Sequence, residues 1–404
     1  AAAILAGCGS QTFRAAPALY SSSSSLTQPL GTYSSLYSFK GRPDGQLPTA
    51  RLIGFNGMLY GTTSAGGSRC PLKGLKGCGT VFAISTTGRE NVLYRFRWLP
   101  DGAEPLAELT AMKSLLYGTT NLGGTACKKT PSGCGTLFSI TPSGTERVVY
   151  RFAGIPDGAH PQGSLINVNG TLYGTTYSGG TNCGGGRDGC GTVYSVGASG
   201  KERVLHRFTG KPDGLSPTGN LVFLNGKLYG TTRYGGECNS GTVFEITLSG
   251  TERVLYSPSC TGVDIVYPSG LVTVHGVLYG TSQEGGTRRH GALYSVTIRG
   301  AEHILQSFNG GNGSDPQGSL IAVNGALYGT TAGGGYGYGN VYAFSTSGRL
   351  QTLYRFKGVP DGSTPLAGLA YLNGTFYGTT NMGGSWCRYQ YCQQGYGTVF
   401  RLSP

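Results

Sequence analysis

Short runs in which apolar and polar residues alternate follow one another along almost the whole chain, each ended by a cluster of Gly, Asn, Pro, Asp or Ser. Alternation with a period of two marks half-buried β-strands, and no stretch carries the 3.6-residue period of an amphipathic helix. Residues 164–196 show the pattern. The run 164–168 alternates, Asn169-Gly170 supplies a two-residue hairpin turn, and 171–176 returns. A Gly-rich loop over 177–190 leads to a third run at 191–196. Residues 198–200 turn the chain into a fourth run at 202–208, and Pro212-Asp213-Gly214 opens the passage to the next unit. Val, Leu, Tyr, Phe and Thr fill the runs, as a pleated surface favours.

The unit repeats. Leu-Tyr-Gly-Thr-Thr stands at 59–63, 116–120, 172–176, 228–232 and 327–331, with Phe in place of Leu at 376–380 and Ser in place of the last Thr at 278–282. A period of roughly fifty residues or slightly more belongs to propellers and other repeat arrays. The four runs of each unit predict four strands. The first unit is preceded by an additional fourth-type strand, Leu36 to Phe39, and the last unit stops after its third strand, Gly397 to Leu402. A linear array would leave that last unit an open edge. In a closed ring the N-terminal strand completes it. The expectation is therefore all-β: a seven-bladed β-propeller of four-stranded blades, spanning 34–404, with a solenoid or an open array as the alternatives.

Three motifs carry a family resemblance: the L-Y-G-T-T-x-x-G-G runs, the Gly-Thr-Val/Leu-Phe-x-Ile runs (Gly79 to Ile84, Gly135 to Ile140, Gly241 to Ile246) and the Asn-Gly turns. Over residues 35–404 the chain resembles the GloVer (Gloeo-Verruco autotransporter-type) repeat family. The resemblance implies a secreted or surface-tethered bacterial repeat protein. It implies no catalytic residues.

The chain's opening agrees with export. Ala1 to Cys8 ends in Leu5-Ala6-Gly7-Cys8, which is similar to a bacterial lipobox. Residues 1–7 read as the end of a signal peptide, Cys8 as the lipidated residue, and 8–33, with Ser21 to Ser25 in a row, as a tether. No other run is long and apolar enough to span a bilayer as a helix. The expected location is extracytoplasmic and membrane-anchored, with secretion as the alternative. Of eleven cysteines, ten remain besides Cys8. Cys70 and Cys78, Cys127 and Cys134, Cys183 and Cys190, and Cys387 and Cys392 each flank one loop. Cys238 and Cys260 are left over in a single repeat. Five disulfides are expected, which points to an oxidising compartment. The spacings do not match zinc sites, so neither metal nor cofactor is expected.

Net charge is +13 while charged residues are only 12% of the chain. A basic surface suits anionic partners, and in this location an acidic glycan or an envelope protein fits better than nucleic acid. The membrane is met only through the anchor, and a monomer is expected. Two groups of residues are candidates for binding. At the inner strands, alignment on the preceding proline puts Arg51, Glu108, Ser164, Asn220, Ser319 and Gly368 at one level of the central channel, with Gly270 joining them, and makes Arg51 and Glu108 neighbours. On the long-loop face, Arg233 and Tyr234, and Trp386, Arg388 and Tyr389, combine cationic and aromatic side chains of the kind that line sugar and protein sites.

Catalysis has little to stand on. Asp44, Asp101, Asp157, Asp213 and Asp361 occupy Pro-Asp-Gly turns, and Glu90, Glu146, Glu202, Glu252 and Glu302 each follow a turn between the third and fourth strands. Glu104 and Glu108 could form a glycosidase-like pair. The five histidines fall in unrelated contexts, His206 in place of a strand Tyr and His275 in place of a turn Asn. A non-catalytic glycan- or protein-binding module is the leading expectation. A polysaccharide lyase or hydrolase with its site at the channel mouth, and a purely structural surface module, are the alternatives.

Overall fold

Asn56, Asn169, Asn225, Asn324 and Asn373 all lie in the left-handed region, at φ between 48° and 51°, and the glycine after each lies at 76° to 81°. Two successive positive φ values make the type I′ turn, whose twist matches that of the strands it joins. His275 replaces Asn in the fifth hairpin at φ 49°. These turns start six blades from the same geometry, and in the second blade Lys113, at φ 57°, is followed by Ser114 without a positive φ. The computed structural model describes residues 31–403 apart from 73, 128–130, 184–187, 198, 346 and 386–393. Among them there is no helix. Seven antiparallel sheets form a seven-bladed β-propeller. The third blade consists of Ile166–Val168, Thr171–Thr176, Thr192–Val196 and Glu202–Arg207, ordered from the channel outward.

The last blade takes its outer strand from the N-terminus. Thr32–Ser38 pairs antiparallel with Thr398–Ser403, from Thr32 opposite Ser403 to Ser38 opposite Thr398. This strand begins earlier than the alternation at Leu36 suggests, inside the segment read as tether. Tyr33 explains the difference: its ring stacks on Tyr354 of the sixth blade at 3.9 Å. Residues 1–30, with the lipobox-like Cys8, lie outside the described residues.

The recurring pentapeptide is a packing device. A Cβ on Gly61 would meet the Phe82 ring at 2.7 Å, and one on Gly174 would meet Tyr194 Oη at 2.6 Å. The glycine is there because a fully buried aromatic ring of the third strand lies flat against it. The first Thr reaches the next blade: Thr231 donates to Ser269 O at 3.0 Å, Thr330 to Ala367 O at 2.8 Å, and Thr379 to Ala50 O at 3.4 Å, the last across the ring closure. The second Thr stays within its blade, as Thr63 does at 2.8 Å from Thr80. Edge-on aromatic pairs then seal the seams, among them Phe39–Phe82, Phe96–Phe138 and Phe356–Phe400, at 5.1 to 5.2 Å.

The turn aspartates do what turn aspartates do and something more. Asp101 Oδ2 accepts the Arg97 amide at 3.0 Å, and it also accepts the Tyr94 hydroxyl at 3.0 Å. The same pair of bonds holds Asp44, Asp157 and Asp361. The outer strand of the following blade brings a glutamate against this arrangement. Glu90, Glu146, Glu202 and Glu302 are each pushed up to about 7, first by burial and next by the charge of Asp44, Asp101, Asp157 or Asp264.

Four of the expected disulfides are formed: Cys70–Cys78, Cys127–Cys134, Cys183–Cys190 and Cys238–Cys260. Cys387 and Cys392 lie outside the described residues. All four bridges stand on the long-loop face.

Candidate binding site at the channel mouth

On the long-loop face every inner strand is entered through the same dipeptide, a residue with positive φ followed by proline. The seven residues are Leu47, Glu104, His160, Ser216, Tyr267, Asp315 and Thr364, at φ 53° to 56°. Each donates its amide to a carbonyl of the preceding blade's loop at 2.8 to 3.0 Å. In five blades its carbonyl accepts the amide of the residue that follows Gly-Thr-Thr: Ser64, Asn121, Tyr177, Ala332 and Asn381. The backbone is thus uniform around the mouth, while the side chains differ at both positions.

Below this rim lies a cavity of about 260 Å³ on the channel axis. Arg51, Glu108, Ser164, Asn220, Gly270, Ser319 and Gly368 all line it, the level that proline alignment predicts. Arg51 and Glu108 form a two-pronged ion pair, Nε to Oε2 at 2.9 Å and Nη2 to Oε1 at 2.6 Å. The Glu108 charge raises the Arg51 guanidinium above its ordinary value, against the effect of burial. Ser319 donates to Asn220 Oδ1 at 2.8 Å, and Asn220 Nδ2 donates to Leu271 O at 3.0 Å.

Arg233 also lines the cavity, from the position after Gly-Thr-Thr of the fourth blade. Its guanidinium carbon lies 5.7 Å from the Tyr234 ring centre and 5.4 Å from that of Tyr267, and the two rings meet edge to face at 5.2 Å. Arg233 has no ion pair among the described residues. Its charge acts on Asp315, which burial pushes up in spite of the Gln317 hydrogen bond at 2.8 Å and the Arg233 charge. Gln162, Gln283 and Gln317 complete the polar wall. Gln162 also borders a second hollow of about 500 Å³ that Tyr234, His160 and Tyr177 share. Here Asn121 Nδ2 donates to Glu104 Oε2 at 2.7 Å, and Gln162 Nε2 donates to Asn121 Oδ1 at 3.2 Å.

Sequence reading places Arg51, Glu108, Ser164, Asn220 and Ser319 together and leaves Arg233 and Tyr234 as separate loop residues. The structure joins Arg233 to the same cavity and Tyr234 to its neighbour. Trp386, Arg388 and Tyr389 lie outside the described residues. Glu104 and Glu108 have separate partners: Asn121 donates to one and Arg51 to the other. The three glutamines and Tyr267 were not anticipated. For Tyr267, Gln162 and Gln317 the available signal was variation at the residues flanking an unvarying proline, whereas Gln283 follows the Gly-Thr-Ser of the fifth blade.

Fold and site together define a propeller with a polar, aromatic-lined channel mouth. Its sequence belongs to the Gloeobacter/Verrucomicrobia repeat family, whose pattern matches residues 22–187, 135–291 and 259–404. No curated protein matches the chain. Solved structures share the fold at low identity. The computationally designed Ika8 protein is 13% identical, with 92% of this chain and 99% of that one covered and a TM-score of 0.50. The extracellular domain of the hybrid two-component system BT4673 from B. thetaiotaomicron is 8% identical, with 90% and 40% covered and a TM-score of 0.56. A luciferin-regenerating enzyme is 11% identical, with 93% and 95% covered and a TM-score of 0.43, and carries no argument about activity.

Proposed function

We propose that this chain is a non-catalytic binding module of the cell envelope whose channel mouth takes the end of an acidic glycan. One observation carries the reading. Around the mouth, seven non-glycine residues occupy a left-handed backbone position. Glycine is the relaxed choice there, and the six besides the buried Ser216 keep side chains partly exposed, a cost that display at a binding surface accounts for. Arg233, beside Tyr234 and Tyr267, offers a cation to a sugar carboxylate. Tyr267 offers an apolar face to a sugar ring, and the glutamines, Asn220 and Ser164 suit its hydroxyls. The separate engagement of Glu104 and Glu108 weighs against a hydrolase.

Four disulfides are compatible with an extracytoplasmic location. Anchoring through Cys8 completes the proposal, and a Cys8→Ser protein that still partitions with membranes overturns that part. The binding reading is tested on an array of uronate-containing and neutral glycans at two salt concentrations. Salt-sensitive binding to uronates that Arg233→Ala or Tyr267→Ala abolishes supports it. Tyr336→Ala on the outer rim, where Tyr336 is 66% exposed, leaves binding unchanged. Binding of a protein in place of any glycan, or binding indifferent to Arg233 and Tyr267, overturns it.

A further inference from the structure

The seam between the third and fourth blades differs from its neighbours by one side chain. At five other seams a tyrosine hydroxyl meets the turn aspartate, Tyr37 with Asp44, Tyr94 with Asp101, Tyr150 with Asp157, Tyr256 with Asp264 and Tyr354 with Asp361, at 2.7 to 3.0 Å, and Gln306 holds the place at the remaining one. Here His206 stands in the tyrosine's place, with Nε2 at 3.2 Å from Asp213 Oδ2. Glu252 comes from the outer strand of the fourth blade, and the ligating atoms of His206, Asp213 and Glu252 all lie within 4.8 Å of one another. The geometry points to a divalent transition-metal site at this seam, with His206, Asp213 and Glu252 as ligands and zinc as the ion class.

The donor set fits. Imidazole nitrogen and Asp or Glu oxygen are both zinc donors, and a site with three protein ligands keeps a fourth position for water. Bonds of about 2.0–2.1 Å in a tetrahedron set the donors about 3.3 Å apart, close to the His206–Asp213 separation. Only the Glu252 side chain has to close in. Its Oε1 is buried without a hydrogen-bond partner, so a favourable group is owed to it. The corresponding oxygens of Glu90, Glu146, Glu202 and Glu302 are orphaned too, but beside a phenol. Burial holds Tyr37, Tyr94, Tyr150 and Tyr256 far above their ordinary value, so they remain protonated donors, and a proton shared with the aspartate is the available remedy. A neutral imidazole instead presents a lone pair.

The first ligands are also held in place. Asp213 Oδ1 accepts the Gly214 amide at 2.6 Å, and Oδ2 accepts the Thr209 amide at 3.0 Å. The His206 ring packs edge-on against Phe208 at 4.8 Å. The Thr209 hydroxyl also donates to Asp213 Oδ2 at 3.2 Å, so the ion would share this oxygen with two donors that orient it. The His206 and Asp213 side chains keep 21% and 15% of their exposure, which leaves a route for the ion and its water. Glu245, the other carboxylate acting on Glu252, is already paired with Lys227 and Arg253 at 2.9 and 3.0 Å and does not compete.

The test uses chelator-stripped full chain in equilibrium dialysis against micromolar zinc, with bound metal counted by elemental analysis. The expected result is one equivalent that His206→Tyr removes. That variant installs the residue that five other seams already carry, so the Asp213 hydrogen bond and the fold persist. Tyr150→His builds the same trio with Asp157 and Glu202 and is expected to add a second equivalent. Zinc should also raise the melting temperature of the native chain and not that of His206→Tyr. Overturning results are no zinc bound by the native chain, undiminished zinc in His206→Tyr, or no gain in a folded Tyr150→His protein.

Discussion

Ser319 donates a 2.8 Å hydrogen bond to Asn220 although a whole blade lies between them. The bond passes over Gly270, where a Cβ would overlap both Asn220 Oδ1 and Ser319 Oγ. The glycine therefore lets the fourth and sixth blades meet across the fifth and narrows the channel on that side. Gly270→Ala should destabilise the fold by about 1–3 kcal/mol, the usual cost of overpacking. Ser319→Ala added to Gly270→Ala should recover part of the loss in a denaturant titration. Two changes that simply add would refute this account of the glycine.

Arg51 and Glu108 hold adjacent blades together at the same level. Their two short bonds join side chains only 29% and 16% exposed. A double-mutant cycle with Arg51→Met and Glu108→Gln should give a coupling of about 1–3 kcal/mol, well above that of a surface pair. A coupling near zero would mean that water screens the pair.

The glutamates at the blade seams make stability depend on pH with a definite sign. Glu146 is pushed from 4.5 to about 7, by burial first and the Asp101 charge second. Between those values the folded chain holds a proton that the unfolded chain has released. Its contribution is full below about 4.5 and is lost as pH rises through about 7. Glu146→Gln keeps the shape and a donor without the titration. From pH 5 to pH 8 the melting temperature of the native chain should fall relative to that of Glu146→Gln. A difference that does not change with pH would contradict a raised Glu146.

The Cys238–Cys260 bridge spans the longest interval of the four, 22 residues against 7 or 8. It also stands where Pro258 replaces the phenylalanine that seals other seams. Replacing both cysteines by serine should cost roughly 3 kcal/mol by loop-closure entropy. The loss, read from the denaturant midpoint under non-reducing conditions, should exceed that for Cys70 and Cys78. Equal losses would show that loop length does not govern the contribution.

Arg51, Glu108, Ser164, Asn220 and Ser319 could be brought to one level from the sequence because each holds a fixed place after a proline, and a repeated backbone carries that register around the ring. Arg233 could not be added in this way. It leaves a different strand, and only the curvature of the ring turns it over Tyr267. Glu146 was legible as a residue following a turn and not as the partner of Asp101, because the two belong to different blades and meet at a seam.

What lay within one repeat was therefore decided locally. Alternation, Asn-Gly turns, close-packing glycines and cysteine spacing set the blades, their number and four bridges, since each depends on residues near in the chain. What lies between repeats was decided by ring closure. The contact of Arg233 with Tyr267, the Asn220–Ser319 bond over Gly270 and the His206, Asp213 and Glu252 trio each join residues of different strands or blades. Their distances depend on the angle at which one blade packs against the next, and that angle is the sum of many seam contacts and no property of any single segment.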